Sequence, residues 1–236
     1  MKKIKVLHLI TRLISGGAQG TALAIANGLD RNRFDVTFAC GPQDFDRAMA
    51  ARWDRDLIII PDLIREIHLL KDIKALIQLY FFLKKRKFDI INTHTSKAGF
   101  LGRVASKLAG VPIIFYTPHG SIYRPFYFGP MATYFLSRLE NFAASFTDKI
   151  ITCSVNEKKD LLRHNIGTED RYVTIYWGRE QPVYTFAPIA IGAQYSAQGT
   201  PGFGSTSSPH LKPSRAKSRG SPGGLHLQIP SDISIR

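Results

Sequence analysis

The feature that most constrains this chain is an alternation of short, nearly continuous apolar runs with longer amphipathic stretches from residue 4 to residue 178. Segments 4–10, 34–40, 57–60, 88–94, 112–117, 149–153 and 172–176 read as strands. They are short, rich in Ile, Val, Phe and Tyr, and bounded by turn residues such as Gly41-Pro42 and Pro61. Between them, segments 18–29, about 44–53, 72–87, 97–109, 130–146 and 157–164 carry helical periodicity, with Gly110 and Gly167 placed as C-terminal caps. A strand that is apolar on both faces must be covered on both sides, which antiparallel meanders seldom achieve. The expectation is therefore a doubly wound, mostly parallel α/β sheet.

That pattern stops abruptly. Residues 179–236 hold 7 Gly, 7 Pro and 9 Ser among 58, and no apolar periodicity that would offset the entropy of ordering them. The chain of 236 residues thus divides into one domain, 1–178, and a low-complexity tail, 179–236, expected to be disordered. The lysine-led start resembles a signal peptide only briefly, because Lys5 and His8 interrupt its apolar run and no small-residue cleavage site follows. The greasy stretch 75–83 is too short to span a bilayer. Cys40 and Cys153 cannot form a multi-bridge framework, so a reduced, cytoplasmic protein is expected.

In an open parallel sheet, ligands bind outside the carboxyl ends of the strands, so the residues that follow each strand matter most. After the first strand come Gly16 and Gly17 at the mouth of a helix, where free N–H groups and the helix dipole favour an anion. A phosphate site and a plain tight turn explain such a pair equally well. The dinucleotide fingerprint is not met: Gly16-Gly17-Ala18-Gln19-Gly20 has the wrong spacing, and the second strand ends in Cys40-Gly41, not in an acidic residue. Neither a P-loop nor a nucleophile elbow is present.

The fourth strand runs into His94-Thr95-Ser96-Lys97, and the fifth into His119-Gly120-Ser121. Histidine exchanges protons near neutral pH, while Lys97 and the hydroxyls suit phosphate or sugar oxygens. One such histidine would be read as structural; two at adjacent strand tops point to a site, with His119 the stronger because Gly120 permits close approach. No carboxylate or cysteine has ligand-like spacing with them, so no metal is expected.

The net charge of +14 admits nucleic acid, an anionic membrane or an anionic substrate as partner. Its densest concentration is the helix ending Leu79-Tyr-Phe-Phe-Leu-Lys-Lys-Arg-Lys87, which suits an anionic membrane surface. The simpler alternative is that the cations complement the helix C-terminus and the aromatics are core. A second aromatic cluster, Tyr123-Arg-Pro-Phe-Tyr-Phe128, could wall an acceptor pocket or pack its own loop. No nucleic-acid-binding module accompanies the charge, and no nucleic-acid partner is expected.

Lys5-Val-Leu-His-Leu-Ile-Thr-Arg-Leu-Ile-Ser-Gly-Gly-Ala-Gln19, Phe88-Asp-Ile-Ile-Asn-Thr-His-Thr-Ser-Lys-Ala-Gly99, Thr117-Pro-His-Gly120, Asp148-Lys-Ile-Ile-Thr152 and Val173-Thr-Ile-Tyr176 together resemble the N-terminal half of family 4 glycosyltransferases. The resemblance implies one Rossmann-like half of a GT-B fold, in which two such domains face across a cleft. It implies retaining transfer from a nucleotide-sugar donor, without metal or bound cofactor, to a lipid-linked or glycan acceptor. It further implies that Gly16 and Gly17 line the cleft near the donor phosphate, that His94, Ser96 and Lys97 lie on the acceptor side, and that His119 meets the donor sugar. Attachment at the inner face of the membrane fits such an acceptor.

Family members continue into a donor-binding domain, whereas this sequence reads Tyr176-Trp-Gly-Arg-Glu180 and enters the tail. A truncated or frame-shifted gene product with little turnover of its own is therefore expected. The alternative is a non-catalytic module that binds an acceptor or membrane and relies on a partner polypeptide.

Overall fold

A computed structural model describes residues 2–55, 57–120, 129–176 and 227–228. The aromatic cluster 123–128 and, apart from Leu227–Gln228, the low-complexity tail lie outside the described residues. Strands β1 (Ile4–Ile10), β2 (Phe34–Cys40), β3 (Leu57–Ile59), β4 (Ile90–His94), β5 (Ile113–Thr117), β6 (Lys149–Thr152) and β7 (Tyr172–Thr174) form one parallel sheet in the order β7-β6-β5-β4-β1-β2-β3. Leu227–Gln228, β8, pairs in parallel with Leu57 and Ile58 at its edge. The helices are α1 (Gly17–Gly28), α2 (Arg47–Ala50), α3 (Leu69–Arg86), α4 (Ser96–Ala109), α5 (Pro130–Ala144) and α6 (Val155–Arg163). The expected doubly wound architecture is present.

Each sheet face has its own core, selected by strand parity. Leu7, Leu9, Ile58, Ile91 and Ile114 pack against Ala75, Leu79, Phe82 and Leu83 of α3 and Ala98, Leu101 and Ala105 of α4. Val36, Phe38, Cys40, Leu57 and Ile59 pack against Ala22, Leu23 and Ala26 of α1 and against Met49, Ala50 and Trp53. Each fully buried Leu, Ile or Phe contributes about 1.5–3 kcal/mol. Helix α4 lies close on the sheet because Gly99 leaves room for Tyr116: a Cβ there would meet that ring at 2.5 Å. The buried Arg103 of α4 stacks over Tyr116 at 3.9 Å and ion-pairs with Glu140 of α5, fixing the layer behind β5.

One helix is much shorter than its periodicity predicts. Of residues 44–53 only Arg47–Ala50 are α-helical, because Asp44 takes a left-handed φ of 51° and the helix starts only where Asp46 caps it through the N–H groups of Ala48 and Met49. The sheet order reverses between β1 and β4, the kind of switch point at whose carboxyl ends open α/β sheets bind ligands.

Candidate functional site

Three histidine rings form a column at the switch point. His8 of β1 is buried, and its Nδ1 lies 3.0 Å from Nε2 of His94 at the end of β4. His94 is wholly buried, and its Nδ1 lies 2.9 Å from Nε2 of His119, on the loop after β5. The rings lie edge to edge, their planes inclined by 16° and 29° and their centroids 5.3 and 5.1 Å apart. His119, partly accessible, is the outermost ring.

Burial disfavours the charged imidazolium throughout. It lowers His8 to about 3 and His119 to about 4. His94 is held well below its ordinary value by burial first, then by repulsion from its two neighbours. At neutral pH the column therefore consists of three neutral rings.

The turn that carries His119 is strained and braced. His119 has φ +60° and Gly120 φ +119°, a conformation that suits glycine at 120 and costs about 1–3 kcal/mol at a residue with a side chain. The Gly120 N–H donates to Oε1 of Glu157 at 2.5 Å, and the Cys153 N–H donates to Oε2 at 2.7 Å. Glu157 sits in the first turn of α6, whose cap Ser154 accepts the Glu157 N–H at 3.1 Å, so a cap of the Ser-x-x-Glu kind also anchors the loop.

Thr95 has φ +62°, an outlier for a β-branched residue. Its hydroxyl lies 3.1 Å from that of Thr11, which also accepts the Ala98 N–H of α4 at 3.0 Å. Thr11, just past the end of β1, thus supplies a cap for the helix that follows β4.

Gly16 is extended (φ −178°, ψ 163°), and Gly17 opens α1 with nothing within 4 Å of a Cβ built on it. Neither position has a φ that demands glycine, and a Cβ at Gly16 would meet Oε1 of Gln19 at 2.7 Å. Ser96 begins α4, partly buried. Lys97 turns away toward α3: its Nζ lies 2.6 Å from Asp72 and donates to the Glu66 carbonyl at 2.5 Å. Its charge is compensated inside the protein. His94, with both ring nitrogens engaged, can act on a ligand only through His119. Among the described residues no group of three or more His, Cys, Asp or Glu side chains could hold a metal ion.

Sequence reasoning passed over His8, noticed only as an interruption of an apolar run, together with Thr11 and Glu157. The parallel register sets His8 opposite Asn92 and Ile10 opposite His94, so pairing β1 with β4 would have revealed the first; the Ser-x-x-Glu spacing would have revealed the last.

Residues 15–180 match the model of Glycosyltransferase Family 4. The chain is 38% identical over 164 residues to the Escherichia coli UDP-Gal:alpha-D-GlcNAc-diphosphoundecaprenol alpha-1,3-galactosyltransferase, covering 67% of this chain and 40% of the relative. Among solved structures, the lipopolysaccharide outer core galactosyltransferase WaaB is similar with a TM-score of 0.55 and 14% identity, covering 73% of this chain and 45% of that one. The UDP-GlcNAc 2-epimerase of Neisseria meningitidis matches with a TM-score of 0.54 and 16% identity, over 72% and 46% of the two chains. At such identity these structures establish the fold alone. The chain spans less than half the length of the curated relatives it matches.

Proposed function

Because the chain belongs to glycosyltransferase family 4, we propose that it forms the acceptor-side half of a retaining glycosyltransferase, moving a sugar from a nucleotide-sugar donor to a lipid-linked or polysaccharide-precursor acceptor. The observation that carries this reading is the outermost position of His119 in a column of neutral rings at the switch point. The diphosphoundecaprenol in the name of the 38% identical relative supports the lipid-linked class of acceptor.

In this reaction the bond from the sugar's anomeric carbon to the diphosphate breaks. The acceptor oxygen bonds to that carbon on the same face, and its proton passes to the departing phosphate oxygen. Gly17 leaves the mouth of α1 open to the donor phosphate, with Gly16 beside it. His119, neutral at working pH, offers a hydrogen bond to the sugar without adding a charge. Cations of a second domain clamp the leaving diphosphate. Neither metal nor bound cofactor is required, the nucleotide sugar being a substrate.

We further propose that the protein works against an anionic membrane surface. On α3 the side chains of Leu70, Ile73, Ile77 and Phe81 are exposed along one stripe, flanked by the exposed Lys71, Lys74 and Lys84, while Phe82 turns into the core. Helix α5 adds exposed Met131, Tyr134 and Phe135. Apolar groups rimmed by lysines suit the headgroup boundary. No helix among the described residues is long and apolar enough to cross a membrane.

The test is transfer of radiolabelled sugar from a UDP-sugar to an undecaprenyl-diphosphate-linked acceptor, by this chain alone and by this chain joined to a family 4 donor domain. Label entering the lipid phase only with the joined protein is the expected result. No label with any UDP-sugar or acceptor of this class would overturn the reading.

A further inference from the structure

Three neutral imidazoles joined by two hydrogen bonds have little freedom. Each ring carries one N–H, and His94, in the middle, must donate to one neighbour and accept from the other. Only two arrangements satisfy this. In one, every proton lies on Nδ1: His8 donates to His94, His94 donates to His119, and the Nδ1–H of His119 is left over. In the other, every proton lies on Nε2 and the His119 Nδ1 is a bare lone pair.

The buried end of the column distinguishes them. The Nε2 of His8 is buried and has no hydrogen-bond partner among the described residues. Its ring stacks over Phe38, whose side chain is wholly buried. Protons on Nε2 would leave an orphaned N–H there; protons on Nδ1 leave only an unused lone pair. Orphaned buried donors are the rarer and costlier defect.

We propose that His8 and His94 are positioning residues: all three rings are protonated on Nδ1, which fixes His119 as a hydrogen-bond donor through Nδ1–H. The column thereby dictates what its outer ring can do. His119 serves a sugar hydroxyl or phosphate oxygen as a donor and does not serve as a general base. This consequence rests on the reading of His119 as a substrate contact; the proton positions themselves do not.

The test reads those positions directly. Long-range proton–nitrogen correlation spectra of the 15N-labelled full chain, without any sugar, are expected to show Nδ1–H tautomers for His8, His94 and His119 at neutral pH. The isosteric pair His94→Asn and His94→Asp then separates donor from acceptor. An amide at 94 donates to His119 Nε2 and keeps the neutral Nδ1–H form, whereas a carboxylate, which only accepts, draws a proton onto His119 Nε2. An Nε2–H tautomer at His119 or His94 in the unaltered protein would overturn the proposal even if neither variant folds. So would a neutral Nδ1–H signal at His119 that persists in a folded His94→Asp protein. Failure of sugar transfer leaves these spectra unaffected, so the two readings fail separately.

Discussion

The carboxylate of Glu157 accepts the backbone N–H of Gly120 at 2.5 Å, tying the turn that carries His119 to the first turn of α6. Its second oxygen is committed to the Cys153 N–H, so both oxygens are spent on backbone donors. Glutamine at this position would turn an amide N–H toward one of them. Glu157→Gln is expected to destabilise the fold by about 0.5–1.5 kcal/mol, the net worth of one hydrogen bond to a part-buried donor. Urea unfolding of the two proteins checks this; an unchanged midpoint would show that the turn does not depend on the carboxylate.

The histidine column makes stability depend on pH with a defined sign. The folded values lie near 3 for His8, near 4 for His119 and well below 6.5 for His94, while unfolded histidine titrates near 6.5. Below pH 6.5 the unfolded chain therefore binds protons that the folded chain refuses. The stability is fully present above that pH and falls as pH drops toward 4, by up to about 1.4 kcal/mol per pH unit for each histidine. Urea midpoints at pH 7.5, 6 and 5 should decline, and His8→Phe should flatten the slope by the share of one histidine.

Both thiols should be sluggish nucleophiles in the native protein. Burial pushes Cys40 up to about 12; burial, together with the neighbouring Glu157, pushes Cys153 up to about 11. Since the thiolate is the reactive form, a disulfide reagent at pH 8 should label neither cysteine at the rate of a free thiol, and both should react promptly in urea. Prompt labelling of Cys153 in the folded chain would contradict its placement beside Glu157.

The exposed stripe on α3 predicts reversible binding to vesicles containing phosphatidylglycerol. Phe81→Glu combined with Lys84→Glu should reduce co-sedimentation at least tenfold, given about 1 kcal/mol for each cation near the surface plus the lost aromatic contact. The same double change should alter folding stability little, because both side chains are exposed. Equal sedimentation of the two proteins would remove the membrane from the account.

The strands were legible in the sequence because parallel strands buried on both faces leave continuous apolar runs. Expected limits for β1 and β2 coincide with those observed, and the other strands end within two residues of expectation. The helix at 44–53 was overextended because a local backbone reversal at Asp44 leaves no trace in hydrophobic periodicity. His94 and His119 could be flagged because they close strands or follow them; His8, inside β1, could not, since its partners are set by the pairing of β1 with β4 across a separation of 84 residues or more. Lys97 read as a phosphate ligand because nothing in its own segment reveals Asp72, which arrives from α3. Contacts made along the chain are visible in sequence, and contacts made across the switch point are not.

The central claim is that sugar transfer takes place at His119. Its most direct measurement is the transfer rate of the chain joined to a donor domain, unaltered and as His119→Ala, at saturating donor and acceptor. Loss of one donor aimed at the reacting sugar should lower that rate by about 100-fold to 1,000-fold, with the folded fraction unchanged. A His119→Ala protein that transfers sugar as fast as its parent would contradict the account.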